Sequence, residues 1–135
     1  MKNIGIWLDS DKAYIVSIEN GKETFARIPS NIEHFHVYGG SGTRFKGGPQ
    51  DVIQDSKYLE RKNQQFKRYF KKITSILEQA DKIAIFGPAE TFIMFKRELE
   101  KNYSELDSKV LIVERADSMT NNQIKKLIRD YFRRH

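Results

Sequence analysis

The sequence predicts an α/β fold: a mixed sheet of about five strands, an antiparallel meander followed by parallel strands, with helices packed on it. Three observations carry this. Apolar residues alternate with a period of two from Ile4 to Ile28. After Asp55 the apolar spacing changes to the three-and-four pattern of a helix. Two short apolar runs, residues 83–86 and 110–113, then alternate with helical stretches, as buried strands joined by crossovers do.

In the first third, Ile4, Ile6 and Leu8 share one face of a strand, and Tyr14, Val16 and Ile18 share one face of the next. Asp9-Ser10-Asp11 is turn chemistry between them. Asn20-Gly21 is a hairpin signal, and residues 24–28 form a third strand. A short extended piece over residues 35–38 continues or bends the sheet. Residues 39–50 hold five of the eight glycines and Pro49, so a flexible loop is predicted over about 39–54.

The longest helix is predicted over residues 55–80. Leu59, Phe66, Phe70, Ile73, Leu77 and Ala80 make its apolar stripe, and Lys57, Arg61, Arg68 and Lys72 fall on the opposite side. Residues 82–86 form a central strand. Gly87-Pro88 turns the chain, and Pro88 suits the first turn of a helix running to about Tyr103. Ile93 and Met94 fall off the Phe92-Phe95-Leu99 stripe of that helix and are expected to be exposed. Residues 110–113 are predicted as another buried strand. Thr120 with Gln123 is a capping box for the last helix. There Ile124, Leu127, Ile128 and Tyr131 face inward, and Lys126, Arg129 and Arg133 face outward. This element order is of the ribonuclease-H-like kind.

The 135 residues fit one domain, 1–135, and 39% hydrophobic content with nine Phe supplies a core. The absence of cysteine excludes disulfides and thiolate chemistry and fits a reducing compartment. The first nine residues do not read as a signal peptide. No apolar run approaches the ~20 residues a membrane span needs. A soluble, cytoplasmic protein with no membrane partner is expected. Net charge is +6, and it is unevenly placed. Residues 1–38 hold four Lys/Arg against five Asp/Glu, residues 55–80 seven against three, and residues 120–135 five against one. Such concentration on two helices favours contact with RNA phosphates over a plain solvated surface. Arg44 beside Phe45, with Lys46 following, suits single-stranded or looped RNA.

From Asp9 almost to the C-terminus the sequence resembles the middle domain of eukaryotic and archaeal class-1 peptide-chain release factors and of Pelota-like proteins. Bacterial stand-alone domains of the translational-machinery-like kind are similar. The residues that carry the resemblance begin with His36-Val37-Tyr38-Gly39-Gly40, followed by Thr43-Arg44-Phe45, where the family has His, a Gly doublet and Arg-Phe. Tyr58-Leu59-Glu60-Arg61-Lys62 resembles the start of the family's long helix. Asp81-Lys82-Ile83, Gly87-Pro88-Ala89-Glu90 and Phe95-Lys96-Arg97-Glu98-Leu99 match its next strand, turn and helix.

The family's loop carries Gly-Gly-Gln, which this sequence lacks intact. Ser41 stands where the Gln belongs, and Gly47-Gly48-Pro49-Gln50 contains the same letters with a Pro inserted. The resemblance implies a translation-associated factor that binds the ribosome or tRNA, with ribosomal RNA as the contact. It further implies a peptidyl-tRNA ester hydrolase or rescue factor, or a non-catalytic occupant of that site. Gln50 and Ser41 are then the catalytic candidates, and Gly39, Gly40, Gly42, Gly47 and Gly48 supply the unusual backbone. Neither a cofactor nor a metal is implied, and the oligomeric state stays open.

Two other classes stay open as well. Asp9 ends the first strand, where a ribonuclease-H-like nuclease carries a metal-binding carboxylate, and Asp51, Asp55, Glu114 and Asp117 are available to complete such a set. A turn role for Asp9 is the simpler expectation. His34 and His36 flank Phe35, and two histidines alone make a poor metal site. The last class is a protein-interaction module.

Overall fold

The chain first reverses at Asp9-Ser10-Asp11. Asp9 Oδ1 accepts from the backbone N–H of Asp11 (2.8 Å) and of Lys12 (2.9 Å), closing the turn between β1 (Lys2–Leu8) and β2 (Lys12–Glu19). The second reversal is at Asn20-Gly21, with φ of 53° and 79°, the left-handed pair that a two-residue hairpin turn requires. It leads into β3 (Lys22–Pro29). The computed structural model describes the backbone of residues 1–32 and 48–135, and the side chains of residues 1–32 and 59–135. The extended piece expected over residues 35–38 lies outside the described residues.

After that come α1 (Gly48–Leu77), β4 (Lys82–Gly87), α2 (Thr91–Asn102), the short α3 (Ser104–Asp107), β5 (Val110–Arg115) and α4 (Asn121–Arg134). The five strands form one sheet in the order β3-β2-β1-β4-β5. β1 is antiparallel to β2, as β2 is to β3, whereas β4 runs parallel to β1 and to β5. The mixed sheet with helices packed on it is the predicted architecture.

Register assigns the faces. Ile6 lies opposite Ile15 and Ile85, and Trp7 lies opposite Tyr14 and Phe86. Alternate residues therefore point to opposite sides, and both sides are covered. On one, Ile4, Ile6, Leu8, Ile15, Ile83 and Ile85 meet the buried faces of α1 and α2. On the other, Trp7, Val16, Ala84 and Phe86 meet Ile124, Ile128 and Phe132 of α4. Gly5 allows this second contact, because a Cβ there would lie 2.4 Å from Ile128 Cγ2. The capping box at Thr120 forms in both directions, at 3.2 and 2.8 Å.

Four expectations need correction. First, α1 starts at Gly48 instead of Asp55, with Pro49 in the first turn, where its missing N–H has no partner to lose. Second, Leu59 is 55% exposed, while Phe66, Phe70, Ile73, Leu77 and Ala80 are buried as expected. The Tyr69 hydroxyl donates to the carbonyl of Asp9, just past the end of β1, at 3.0 Å. The helix meets the sheet from about Phe66 onward, and Leu59, ~10 Å further along the axis, falls beyond it. Third, β5 is an edge strand with Leu111 48% exposed, because a register shift between Ile83 and Ala84 leaves Leu111 without a pairing partner. Fourth, α2 begins at Thr91, so Pro88 sits in the turn before it. Ile93 is exposed there as expected, but Met94 packs against the core.

Candidate nucleic-acid interface

The C-terminal half of α1 has two unlike sides. Phe66, Tyr69, Phe70, Ile73 and Leu77 are buried against the sheet. On the outer side Arg61, Lys67, Arg68, Lys71 and Lys72 are exposed. Among the described residues no ion pair holds Lys67, Arg68, Lys71 or Lys72. Lys67 with Lys71 and Arg68 with Lys72 are like charges four residues apart, an arrangement that costs an isolated helix a few tenths of a kcal/mol per pair. Bound phosphates would reverse the sign of that term. Sequence reading named Arg68 and Lys72 and missed Lys67 and Lys71, although each directly precedes one of them.

The cations of α4 are differently placed and differently occupied. They lie on the other side of the sheet from α1. Lys126 pairs with Asp130 at 2.9 Å, and Arg133 approaches the same carboxylate at 4.0 Å. Arg129 is expected to face outward, yet it reaches across to β3 and donates to both carboxylate oxygens of Glu23, at 2.9 and 3.1 Å. That bidentate contact holds the Glu23 carboxyl below its ordinary pKa and raises that of the Arg129 guanidinium. The two basic helices therefore do not form one continuous surface, and the run of four exposed cations in no ion pair among the described residues lies on α1.

No family model matches the chain. A curated relative, the Pelota homolog of Nitrosopumilus maritimus (strain SCM1), is 32% identical over 107 residues, which are 77% of this chain and 28% of the relative. Among solved structures, Pelota of Archaeoglobus fulgidus superposes with a TM-score of 0.57 at 9% identity, covering 96% of this chain and 31% of that one. Pelota of Thermoplasma acidophilum gives 0.56 at 17% identity, covering 96% and 32%. An archaeal translation termination factor gives 0.55 at 12% identity, covering 98% and 38%. By sequence and by fold the chain is Pelota-like. It spans about a third or less of the Pelota proteins it matches.

In this Pelota-like chain Gly48 and Gln50 belong to the first turn of α1, where backbone N–H groups have no acceptor within the helix. The side chains of Gln50, Lys57, Asp51 and Asp55 lie outside the described residues, as do His34, His36, Gly39, Gly40, Ser41, Gly42, Arg44, Phe45, Lys46 and Gly47. Asp9 is a turn residue. Besides its two backbone contacts, its Oδ2 pairs with Lys12 Nζ at 3.1 Å. Glu114 is exposed on the edge strand, and Asp117 lies 3.8 Å from Arg115. Among the described residues no three His, Cys, Asp or Glu side chains are grouped so as to hold a metal ion. Nor is any described helix long and apolar enough to cross a membrane.

Proposed function

We propose that this chain is a translation-associated factor that docks on ribosomal RNA or tRNA through the outer face of α1. The observation that carries this reading is the exposed set Lys67, Arg68, Lys71 and Lys72, four cations in no ion pair among the described residues, on a helix whose other side is anchored in the core. Exposed Arg61 extends the same ridge, and Lys57 precedes it by four positions in sequence. Phosphate contact is the chemistry such a ridge performs, through release of condensed counterions. The Pelota-like sequence and fold support a place in translation. Docked this way, the chain would bring to the RNA the first turn of α1 and the segment that precedes it in sequence, residues 39–47 with Arg44, Phe45 and Lys46. The Gln50 main-chain N–H, in a turn that gives it no acceptor within the helix, is then a donor for the oxyanion formed when a peptidyl-tRNA ester is cut. Ser41 is the competing candidate for that position, and the α4 cations Lys126 and Arg133 are secondary contacts.

The test is fluorescence anisotropy of a labelled tRNA or ribosomal RNA fragment across a salt series. With about four phosphates engaged, log affinity should fall against log salt with a slope of roughly −3, and Arg68→Glu with Lys72→Glu should flatten that slope and weaken binding. Affinity indifferent to salt and to both substitutions contradicts the reading. Peptide release from peptidyl-tRNA that disappears in Gln50→Ala identifies a hydrolase, and binding without release identifies a non-catalytic occupant. RNA cleavage that needs divalent metal and is lost in Asp9→Asn would replace this reading with a nuclease.

A further inference from the structure

β5 is an open edge of the sheet: it pairs with β4 on one side, and among the described residues no strand lies on the other. The opposite edge, β3, is blunted by Pro29 and by exposed Lys22 and Arg27. β5 carries no Pro, and Leu111 stands exposed on it. Two hydrogen bonds give the direction of its backbone groups. The Ala116 N–H donates to the Gly87 carbonyl at 2.8 Å, so, counting back by twos, Glu114 and Ile112 turn their polar groups to β4 and Val113 turns its own outward. The Lys109 carbonyl accepts from the Ile83 N–H at 3.0 Å, which leaves the Val110 N–H on the free side of that trans peptide.

Packing fixes where the side chains point. Val110 and Val113 pack with the cluster under α1 and α2, and Ile112 packs with the cluster under α4. The two valines share a face although they are three positions apart, because Leu111 is an extra residue. β4 skips it, pairing Ile83 with Val110 and Ala84 with Ile112. Lys109 and Glu114 flank the valines and therefore both fall on the Ile112 face. Glu114 is exposed and Lys109 half-buried, and neither is in an ion pair among the described residues. With Leu111 left out, the free edge reads Lys109-Val110-Ile112-Val113-Glu114. About Ile112 that run is symmetric in its apolar residues and opposite in its charges.

We propose that β5 pairs antiparallel with β5 of a second copy of this chain, joining the two sheets about a twofold axis at Ile112. Each copy then sets Ile112 opposite Ile112 of the other, Val113 opposite Val110, and Glu114 opposite Lys109. The valines form the hydrogen-bonded pairs, and the Lys–Glu pairs place opposite charges directly across the strands, twice. A slide by one residue turns every side chain to the wrong face. A slide by two sets Glu114 against Ile112 and Arg115 against Val110, and both charge pairs are lost. A twofold copy of the same sequence thus meets each of the five residues with its complement, which is why the partner is this chain and not an unrelated strand. The axis stands perpendicular to the sheet, so both α1 helices fall on the same side of the joined sheets.

Sedimentation velocity of the full chain tests this. A species of twice the chain mass that grows with concentration is expected, and a single-chain species at every concentration overturns the proposal. Lys109→Glu sets carboxylate against carboxylate and should weaken the dimer about tenfold. Adding Glu114→Lys restores opposite charges in exchanged places and should recover the association of the wild type. A dimer indifferent to Lys109→Glu, or a double variant as weak as the single one, overturns the pairing. The chain has no cysteine, so one introduced thiol reports the register. Ile112→Cys faces its own copy with Cα atoms ~4.5 Å apart, within disulfide range, and should cross-link on oxidation. Glu114→Cys would lie ~14 Å from its copy and should not. Cross-linking of both variants alike, or of neither, contradicts the proposal.

Discussion

Tyr69 and Arg129 show what single residues do in this chain beyond what their sequence positions announce. Tyr69 is fully buried, and its hydroxyl donates to the Asp9 carbonyl at 3.0 Å. Burial pushes that hydroxyl's pKa up, so it stays a donor at all ordinary pH values. Tyr69→Phe keeps the ring in the core and removes only the donor, and is expected to cost about 1 kcal/mol in urea denaturation. A loss below ~0.3 kcal/mol would mean that water replaces the contact at no cost. The local half of this arrangement was legible, because Asp-Ser-Asp between two alternating stretches is turn chemistry wherever it occurs. The tertiary half was not, since Tyr69 comes 60 positions after its partner. Arg129 repeats the lesson at larger separation. A count of charges sees a cation on an exposed helix face, and nothing local shows Glu23, 106 positions away, holding it.

At the level of elements, periodicity specified which side of each helix faces inward and could not specify where the sheet stops. α1 keeps one apolar stripe from Leu59 to Leu77, yet Phe66 is buried and Leu59 is not. Phe66→Ala is therefore expected to cost ~3 kcal/mol or more, whereas Leu59→Ser should stay within ~0.5 kcal/mol. Comparable losses from the two, read from the same denaturation midpoints, would show that the whole stripe is covered. β5 fails in the same way. Its apolar run reads as a buried strand, but the sheet ends there, and the register shift beside Leu111 leaves that residue unpaired. Capping and turn signals did better, because the Thr120–Gln123 box and the Asn20-Gly21 turn are complete within four residues.

For the whole molecule, the sheet order β3-β2-β1-β4-β5 places α1 on one face and α4 on the other, with an apolar core between the sheet and each helix layer. That separation divides two basic helices that look alike in sequence. On α4 the cations Lys126 and Arg129 are paired with carboxylates, whereas four exposed cations of α1 are in no ion pair among the described residues. The fold class was legible because the change from a period of two to a period of 3.6 is a property of the chain alone. The division of charge became visible only with the tertiary pairs. The central claim, that the α1 face docks this Pelota-like chain on the ribosome, is tested most directly by sedimentation. The wild type and the Arg68→Glu, Lys72→Glu variant would each be centrifuged through sucrose with ribosomes from the native host, at low and at high salt. The account predicts co-migration of the wild type with ribosomal particles at low salt, release at high salt, and a variant that stays at the top of the gradient throughout. A wild type that never enters the ribosomal fractions, or a variant that migrates with them as well as the wild type, would contradict it.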